Sequence, residues 1–404
     1  MTTRDNDAPG HVHATEPSPD TVSLLERLVA FDTTSRNSNP ELVEFAREHL
    51  ETLGASCMLT PSADGGKANL LATFGPPGRP GVLLSGHTDV VPVDGQDWRT
   101  DPFVVTRIDD RFHGRGTCDM KGFIAAVLAA SPAFARAQLT APIHIALTYD
   151  EEVGCLGVPV LIEAMREMQA LPALAIVGEP TSMQVAIGHK GARAFSAAFR
   201  GKEAHSSLAP LSVNAVEHAA ELVQRLTALG RRFAAEGPFD HDYDVAHTTV
   251  HTGVIRGGTQ VNIVPSRCEV EFEYRPLPAG DEDAPERLVR DWIERDIAPA
   301  MRSVDDDCGV ELERRYAYPG LATSRDAEVT RIARELSGSG EPVKIAFGTE
   351  AGCYHADLGI ASVVCGPGSI RRAHQRDEYV SAAQLALCDG FMRRLVARMG
   401  AAGL

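Results

Sequence analysis

Short apolar runs at residues 69–74, 82–85, 143–149 and 175–177 constrain this chain more than any other feature, because a helical stretch at 121–130 falls between the second and third of them. Runs of this length bounded by turn residues read as buried strands. Strand, helix and strand in that order imply an α/β layer with a largely parallel sheet. Two helices precede them. Leu24, Leu25, Leu28 and Val29 recur at helical spacing from Thr21, and a second helix is expected to run from Asn39, as cap, and Pro40 to Leu53, stopped by Gly54.

After Thr181 the pattern changes. Residues 192–200, 248–255 and 267–274 alternate apolar with polar, while 214–229 and 286–296 read as helices, which together imply a smaller α+β unit. From about Ala317 the α/β pattern returns, with a helix at 326–336, strands around Ile345 and at 362–365, and a last helix at 382–399. The expected fold class is therefore α/β, a mixed, largely parallel-sheet domain interrupted by a smaller α+β domain. The boundaries expected are a lead-in at 1–19, the larger domain at 20–184 and 317–404, and the insert at 185–316. The lead-in is polar, contains three prolines and has no periodicity, so it is expected to be disordered, with His11 and His13 in a solvated tail.

Composition narrows the function classes. A formal net charge of -16 argues against nucleic-acid binding, which needs clustered positive charge. No run reaches the roughly 18 apolar residues of a membrane span, and no signal-peptide pattern opens the chain, so the cytoplasm is expected. The 8 cysteines are scattered without a Cys-x-x-Cys pair and fit reduced thiols; Cys118, Cys155, Cys353 and Cys365 read as packing residues.

The chemistry lies where the strands end. His87 and Asp89 follow the run at 82–85, Glu151 and Glu152 follow 143–149, Glu179 follows 175–177, and Asp119 stands just before the helix at 121–130. Ligands of open α/β sheets bind beyond the carboxyl ends of the strands, and so many carboxylates at one edge would repel one another without cations. Taken singly, each is an ordinary solvated carboxylate or helix cap; the convergence carries the reading. Imidazole with carboxylate suits zinc, cobalt or manganese. The set exceeds what one catalytic ion needs and suits a pair about 3.5–4 Å apart bridged by one carboxylate. Of the neighbours Glu151 and Glu152, one would ligate and the other serve as general base. Gly86, Gly114, Gly116, Gly122 and Gly178 supply the tight turns and close backbone approach of a crowded site. The Gly-Arg-Gly-Thr segment has the wrong spacing for a phosphate loop, and no Gly-x-Ser-x-Gly elbow competes.

Five ordered segments, Ser85-Gly-His-Thr-Asp-Val-Val-Pro, Gly114-Arg-Gly-Thr-Cys-Asp-Met-Lys-Gly, Asp150-Glu-Glu, Gly178-Glu-Pro-Thr and Gly366-Pro-Gly-Ser-Ile followed by Ala373-His374, resemble the M20 metallopeptidase family from about Thr21 onward. The resemblance implies two divalent ions, Zn2+ or Co2+, with Asp119 bridging, His87 and Glu179 on one, and Glu152 and His374 on the other. It implies Glu151 as the base, Asp89 as the group that orients His87, and a cis peptide after Asp119. The insert would be a lid and dimerisation domain of a homodimer, in which His205 reaches the partner's active site to stabilise an oxyanion; Glu203 replaces the family's usual small residue beside it. Asn262, Arg275, Thr349 and Glu350 match substrate-contacting positions, Arg275 suiting a carboxylate and Glu350 a side-chain ammonium. The implied substrate is a small N-acyl amino acid. The segments Thr349-Glu-Ala-Gly and Ala373-His-Gln-Arg-Asp-Glu-Tyr resemble the deacetylase branch, with N2-acetyl-L-ornithine expected and desuccinylation or dipeptide or carbamate cleavage left as alternatives.

Overall fold

In the computed structural model, which describes residues 15–278 and 280–401, the apolar runs become the centre of a large mixed sheet. Strands Ile143–Thr148, Val82–His87, Leu174–Pro180 and Ala361–Gly366 lie side by side and parallel. The first three are buried along their whole length. That explains why they read as continuous apolar runs rather than alternating ones. Antiparallel strands Ala68–Phe74 and Ser56–Pro61 extend one edge; Ala186–His189, Leu321–Ala322 and Val343–Ile345 complete the other. Because the four central strands are parallel, their carboxyl ends open at one edge, and that edge holds the residues with chemistry.

Helices cover both faces. Pro19–Val29, Pro40–Thr52, Lys121–Arg136, Glu328–Ser337 and Ala382–Ala401 share one apolar core with the sheet, and Val158–Met165 with Ala351–Leu358 fill the other side. Contact is close enough that a Cβ on Gly178 would fall 2.0 Å from the ring of Phe123, so only glycine lets Lys121–Arg136 lie on strand Leu174–Pro180. A separate antiparallel sheet, ordered Thr249–Gly257, Arg267–Arg275, Ala192–Arg200 and Gly309–Tyr318, packs its inner face on Ala215–Glu236 and the helices between 284 and 302. No helix among the described residues is long and apolar enough to cross a membrane.

Several elements differ from expectation. Residues 1–14 of the expected lead-in lie outside the described residues, but its end is structured: Ser18 caps Pro19–Val29, and its amide donates to Asp389 at 2.7 Å. Asn39 does not cap the second helix; its carboxamide instead bonds both main-chain groups of Ala68 and donates to Thr88, tying that helix to the sheet. Strand Ala186–His189, expected in the insert, pairs in the large sheet, so the smaller sheet begins at Ala192 and closes with Tyr318.

His189 makes this junction pH-sensitive. It is fully buried, accepts the amide proton of Gly352 at Nε2 (3.2 Å) and so must donate from Nδ1 to the Lys190 carbonyl (2.9 Å), an arrangement open only to neutral imidazole. Burial lowers its pKa to about 4. The unfolded chain binds this proton first as pH falls, so stability should be lost between about pH 6.5 and 4, by up to about 3 kcal/mol. Denaturant titrations across that window should show a shallower loss for His189→Gln; parallel curves would contradict the assignment.

Candidate metal centre

Each ligand candidate is delivered by a local structure. His87 is the last residue of its strand, and Glu179 lies near the end of Leu174–Pro180. Asp150 adopts φ 56 after Ile143–Thr148, held by the Lys67 ammonium, and turns the next two residues over the sheet edge. There the amides of Glu151 and Glu152 donate to the Asp89 carboxylate at 3.1 and 3.3 Å. Asp119 precedes a cis peptide to Met120, as expected from the resemblance. His374 takes a left-handed backbone, φ 60, in the loop after Ala361–Gly366.

These side chains meet. His87 Nε2 is 3.1 Å from Asp119 Oδ1 and 3.6 Å from Glu179 Oε1. His374 Nε2 is 3.4 Å from Asp119 Oδ2 and 2.9 Å from Glu152 Oε2. Asp119 thus turns one oxygen to each histidine, dividing the cluster into two three-residue groups that share it. Ligand atoms of His87, Glu151 and Glu179 also lie within 4.8 Å of one another, as do those of His87, Asp119 and Glu152, so Glu151 sits inside the cluster and close enough to serve a water there. His87 is 1% exposed and His374 51%, so the second group lies at the open side.

The electrostatics demand cations. Burial first, then the carboxylates around them, push Glu151 and Glu179 well above the usual carboxylate range and Glu152 to about 7. His374, bonded to Asp119 and Glu152, rises to about 10; His87 also rises, because Glu179, Asp119 and Asp89 outweigh its burial. The fit is visible in the bonding: Glu152 Oε1 and Glu179 Oε1 are buried without a hydrogen-bond partner, as lone pairs aimed at a cation would be. His87 Nδ1 lies 2.9 Å from the Asp89 carbonyl and 3.6 Å from its carboxylate. The carbonyl can only accept, so Nδ1 carries the proton and Nε2 is free to ligate. Asp89 orients His87 through its main chain, while its carboxylate, also bonded by Ser35 Oγ at 2.7 Å, anchors the turn of Glu151 and Glu152.

A cavity of about 300 Å³ opens over the cluster, lined by Asp119, Glu151, Glu152, Glu179 and His374 together with Arg275, Tyr316, Tyr318 and Phe347. A larger cavity, about 700 Å³ around Arg200, Arg267 and Arg302 at the far end of the small sheet, holds none of these groups. Arg275 lines the cavity over the cluster, steadied by Glu273 through Nε (3.0 Å) and Nη2 (3.3 Å). Thr349 and Glu350 do not line the cavity. Thr349 is buried and its Oγ1 accepts the Ala351 amide at the start of a helix. Glu350 is buried behind strand Val82–His87, where it accepts from Ser85 Oγ at 3.3 Å beside Tyr354. The expected contact between Glu350 and a substrate ammonium is corrected accordingly: Glu350 is 1% exposed and is not among the residues that line the cavity. His205 and Asn262 are exposed on neighbouring loops of the small sheet, joined through the Ser206 amide and the Asn262 carbonyl (3.0 Å), and neither lines this chain's cavity.

Sequence reasoning missed Arg115 and Glu378. Both lie inside quoted motifs but carried no charge partner in the sequence, since 263 residues separate them. In the fold they form a buried ion pair at 2.7 Å next to Asp119. Tyr316 and Tyr318 were missed because the strand that carries them, Gly309–Tyr318, holds four charged residues, Glu311, Glu313, Arg314 and Arg315, just before them and is exposed along that part.

The model of peptidase family M20/M25/M40 matches residues 83–398. The chain is 38% identical over 384 residues to an acetylornithine deacetylase of Myxococcus xanthus, covering 93% of this chain and 96% of that protein. It is 33% identical to one of Pasteurella multocida, covering 90% and 94%. Among solved structures, a tripeptidase of Staphylococcus aureus superposes with TM-score 0.74 at 20% identity, over 96% of this chain and all of that one.

Two groups sharing one carboxylate make an asymmetric forecast. Chelator-treated protein titrated with zinc by calorimetry should take up two equivalents. His374→Ala should retain one, whereas Asp119→Asn should weaken both. Two undiminished sites in Asp119→Asn would show that the carboxylate is not shared.

Proposed function

The chain belongs to peptidase family M20/M25/M40, and we propose that within it the protein hydrolyses N2-acetyl-L-ornithine to L-ornithine and acetate, a step of arginine biosynthesis. The observation that carries the chemistry is Asp119, placed between His87 and His374 with one oxygen toward each, under a cavity that also holds Glu151 and Arg275. The substrate rests on identity of 38% to an acetylornithine deacetylase across nearly the whole chain. The eight cysteines are all free, which suits a reducing cytoplasm.

Two divalent ions, zinc or cobalt, held by His87, Glu179, Asp119, Glu152 and His374 would polarise the acetyl carbonyl and lower the pKa of the attacking water. Glu151 takes that water's proton as its oxygen adds to the carbonyl carbon, and returns it to the amine as the C–N bond breaks. Its place beside the cluster and in the cavity wall puts it within reach of that water. Arg275 pairs with the substrate carboxylate, and Glu273 holds its guanidinium in place. The insert, whose sheet runs from Ala192 to Tyr318, is proposed as lid and dimerisation unit. His205 and Asn262 stand off this chain's cavity on loops that also expose Leu208, Leu211, Val261 and Ile263. An apolar surface of that kind suits a second copy of the chain, which would bring His205 of the partner subunit to the oxyanion.

Ornithine release should be metal-dependent and should favour N2-acetylornithine over N-succinyl-diaminopimelate and dipeptides in a parallel assay. Glu151→Gln should lower kcat by at least about 10²-fold while still binding two metal equivalents. Equal turnover of the succinyl compound would overturn the substrate, and an active Glu151→Gln would overturn the base.

A further inference from the structure

The ligands of the two groups are supported in different ways. His87 and Glu179 are parts of buried central strands, fixed by the sheet itself. Asp119 and His374 come from loops, and one hydrogen-bond network holds both. The Glu378 carboxylate accepts the amides of Cys118 and Asp119 on Oε1 (2.9 and 3.0 Å) and that of Gly116 on Oε2 (3.1 Å). Its main-chain oxygen accepts the Gly114 amide at 3.0 Å. The turn that delivers Asp119 is thus wrapped around a single residue four positions beyond His374.

Arg115 extends the network. Its Nη1 donates to Glu378 (2.7 Å) and to the Gln375 carbonyl (3.3 Å); its Nη2 donates to Gln96 Oε1 (2.6 Å) and the Pro92 carbonyl (3.4 Å). The guanidinium lies 5.0 Å from the Trp98 ring centroid, and the indole N–H donates to the same Gln96 oxygen at 3.0 Å. Gln96 then donates from Nε2 to the main-chain oxygen of His374 at 2.9 Å. One chain of contacts, Glu378 to Arg115 to Gln96, therefore fixes the backbone on either side of the gap between Asp119 Oδ2 and His374 Nε2.

We infer that Arg115, Glu378 and Gln96 are positioning residues for the cation pair: Glu378, clamped by Arg115, holds the turn of the shared Asp119 and so supports both positions, whereas Gln96 reaches only His374 and supports the position formed by Asp119, Glu152 and His374. The cause is geometric. His374 is half exposed on a loop with a left-handed backbone, so packing alone does not hold it, and an imidazole displaced by a few tenths of an ångström loses its ligand angle. A carboxylate is the right clamp because two oxygens can accept three amides and a guanidinium together; a carboxamide offers one acceptor and would turn an N–H toward an N–H.

This inference rests on the two-cation reading, and one experiment separates the two. Zinc is titrated into chelator-treated wild-type protein, Glu378→Gln and Gln96→Ala against a chromophoric chelator that resolves two binding steps. Gln96 is half-buried at the end of the network, so Gln96→Ala leaves the buried ion pair intact and guards against misfolding of the other variant. The expected result is a weakening of both steps by about 10–100-fold in Glu378→Gln, and of one step alone by about 10-fold in Gln96→Ala, with its other step unchanged within about twofold. In addition, KM for acetylornithine at saturating zinc should stay near wild type, which a general loosening of the fold would not allow. Two unchanged steps in either variant, or equal weakening of both steps in Gln96→Ala, overturn the positioning role while the two-cation reading stands. A single step in the wild type overturns the two-cation reading and this inference with it.

Discussion

Holding Asp119, Glu151, Glu152 and Glu179 within reach of one another at one edge of a sheet is the constraint on which the rest of this structure depends. Like charges brought out of water repel strongly, and the fold accepts this only because two imidazoles and two cations can neutralise the group. The parallel strands supply the convergence, since their carboxyl ends point the same way. Asp89 supplies the turn that brings Glu151 and Glu152 over the edge. The buried pair of Arg115 and Glu378 supplies the loop geometry, placing an anion under the amides of the Asp119 turn, where an unpaired carboxylate would be costly.

Much of this was legible in the sequence for a physical reason. A strand buried on both faces is largely apolar, so Val82–His87 and Ile143–Thr148 announce themselves, and a charged residue at the end of such a run has few roles except at a site. The same logic failed for Gly309–Tyr318. An edge strand of a half-exposed sheet carries charge on its outer face, and Glu311, Glu313, Arg314 and Arg315 hid its period. Asn39 shows a different limit: its local pattern is that of a cap, but Ala68, 29 residues away, offers its carboxamide two bonds at once.

Glu350 illustrates how motif position misleads about accessibility. It adjoins Phe347 and Gly348, which do line the cavity, and its charge suits a substrate ammonium. The backbone enters a helix at Ala351, however, and the side chain is buried against Ser85 on the strand of His87, outside the cavity lining. Conversely, Glu378 lay in a recognised segment without an assigned task, because what it holds is main chain, and amide groups leave no trace in a sequence.

The central claim is that one carboxylate, Asp119, is shared by two cations. Crystals grown with zinc and measured at its absorption edge test this most directly. The account expects two anomalous peaks about 3.5–4 Å apart, one beside His87 and Glu179, the other beside Glu152 and His374, with Asp119 contributing one oxygen to each. A single peak, or two peaks with Asp119 bound to only one, would contradict it.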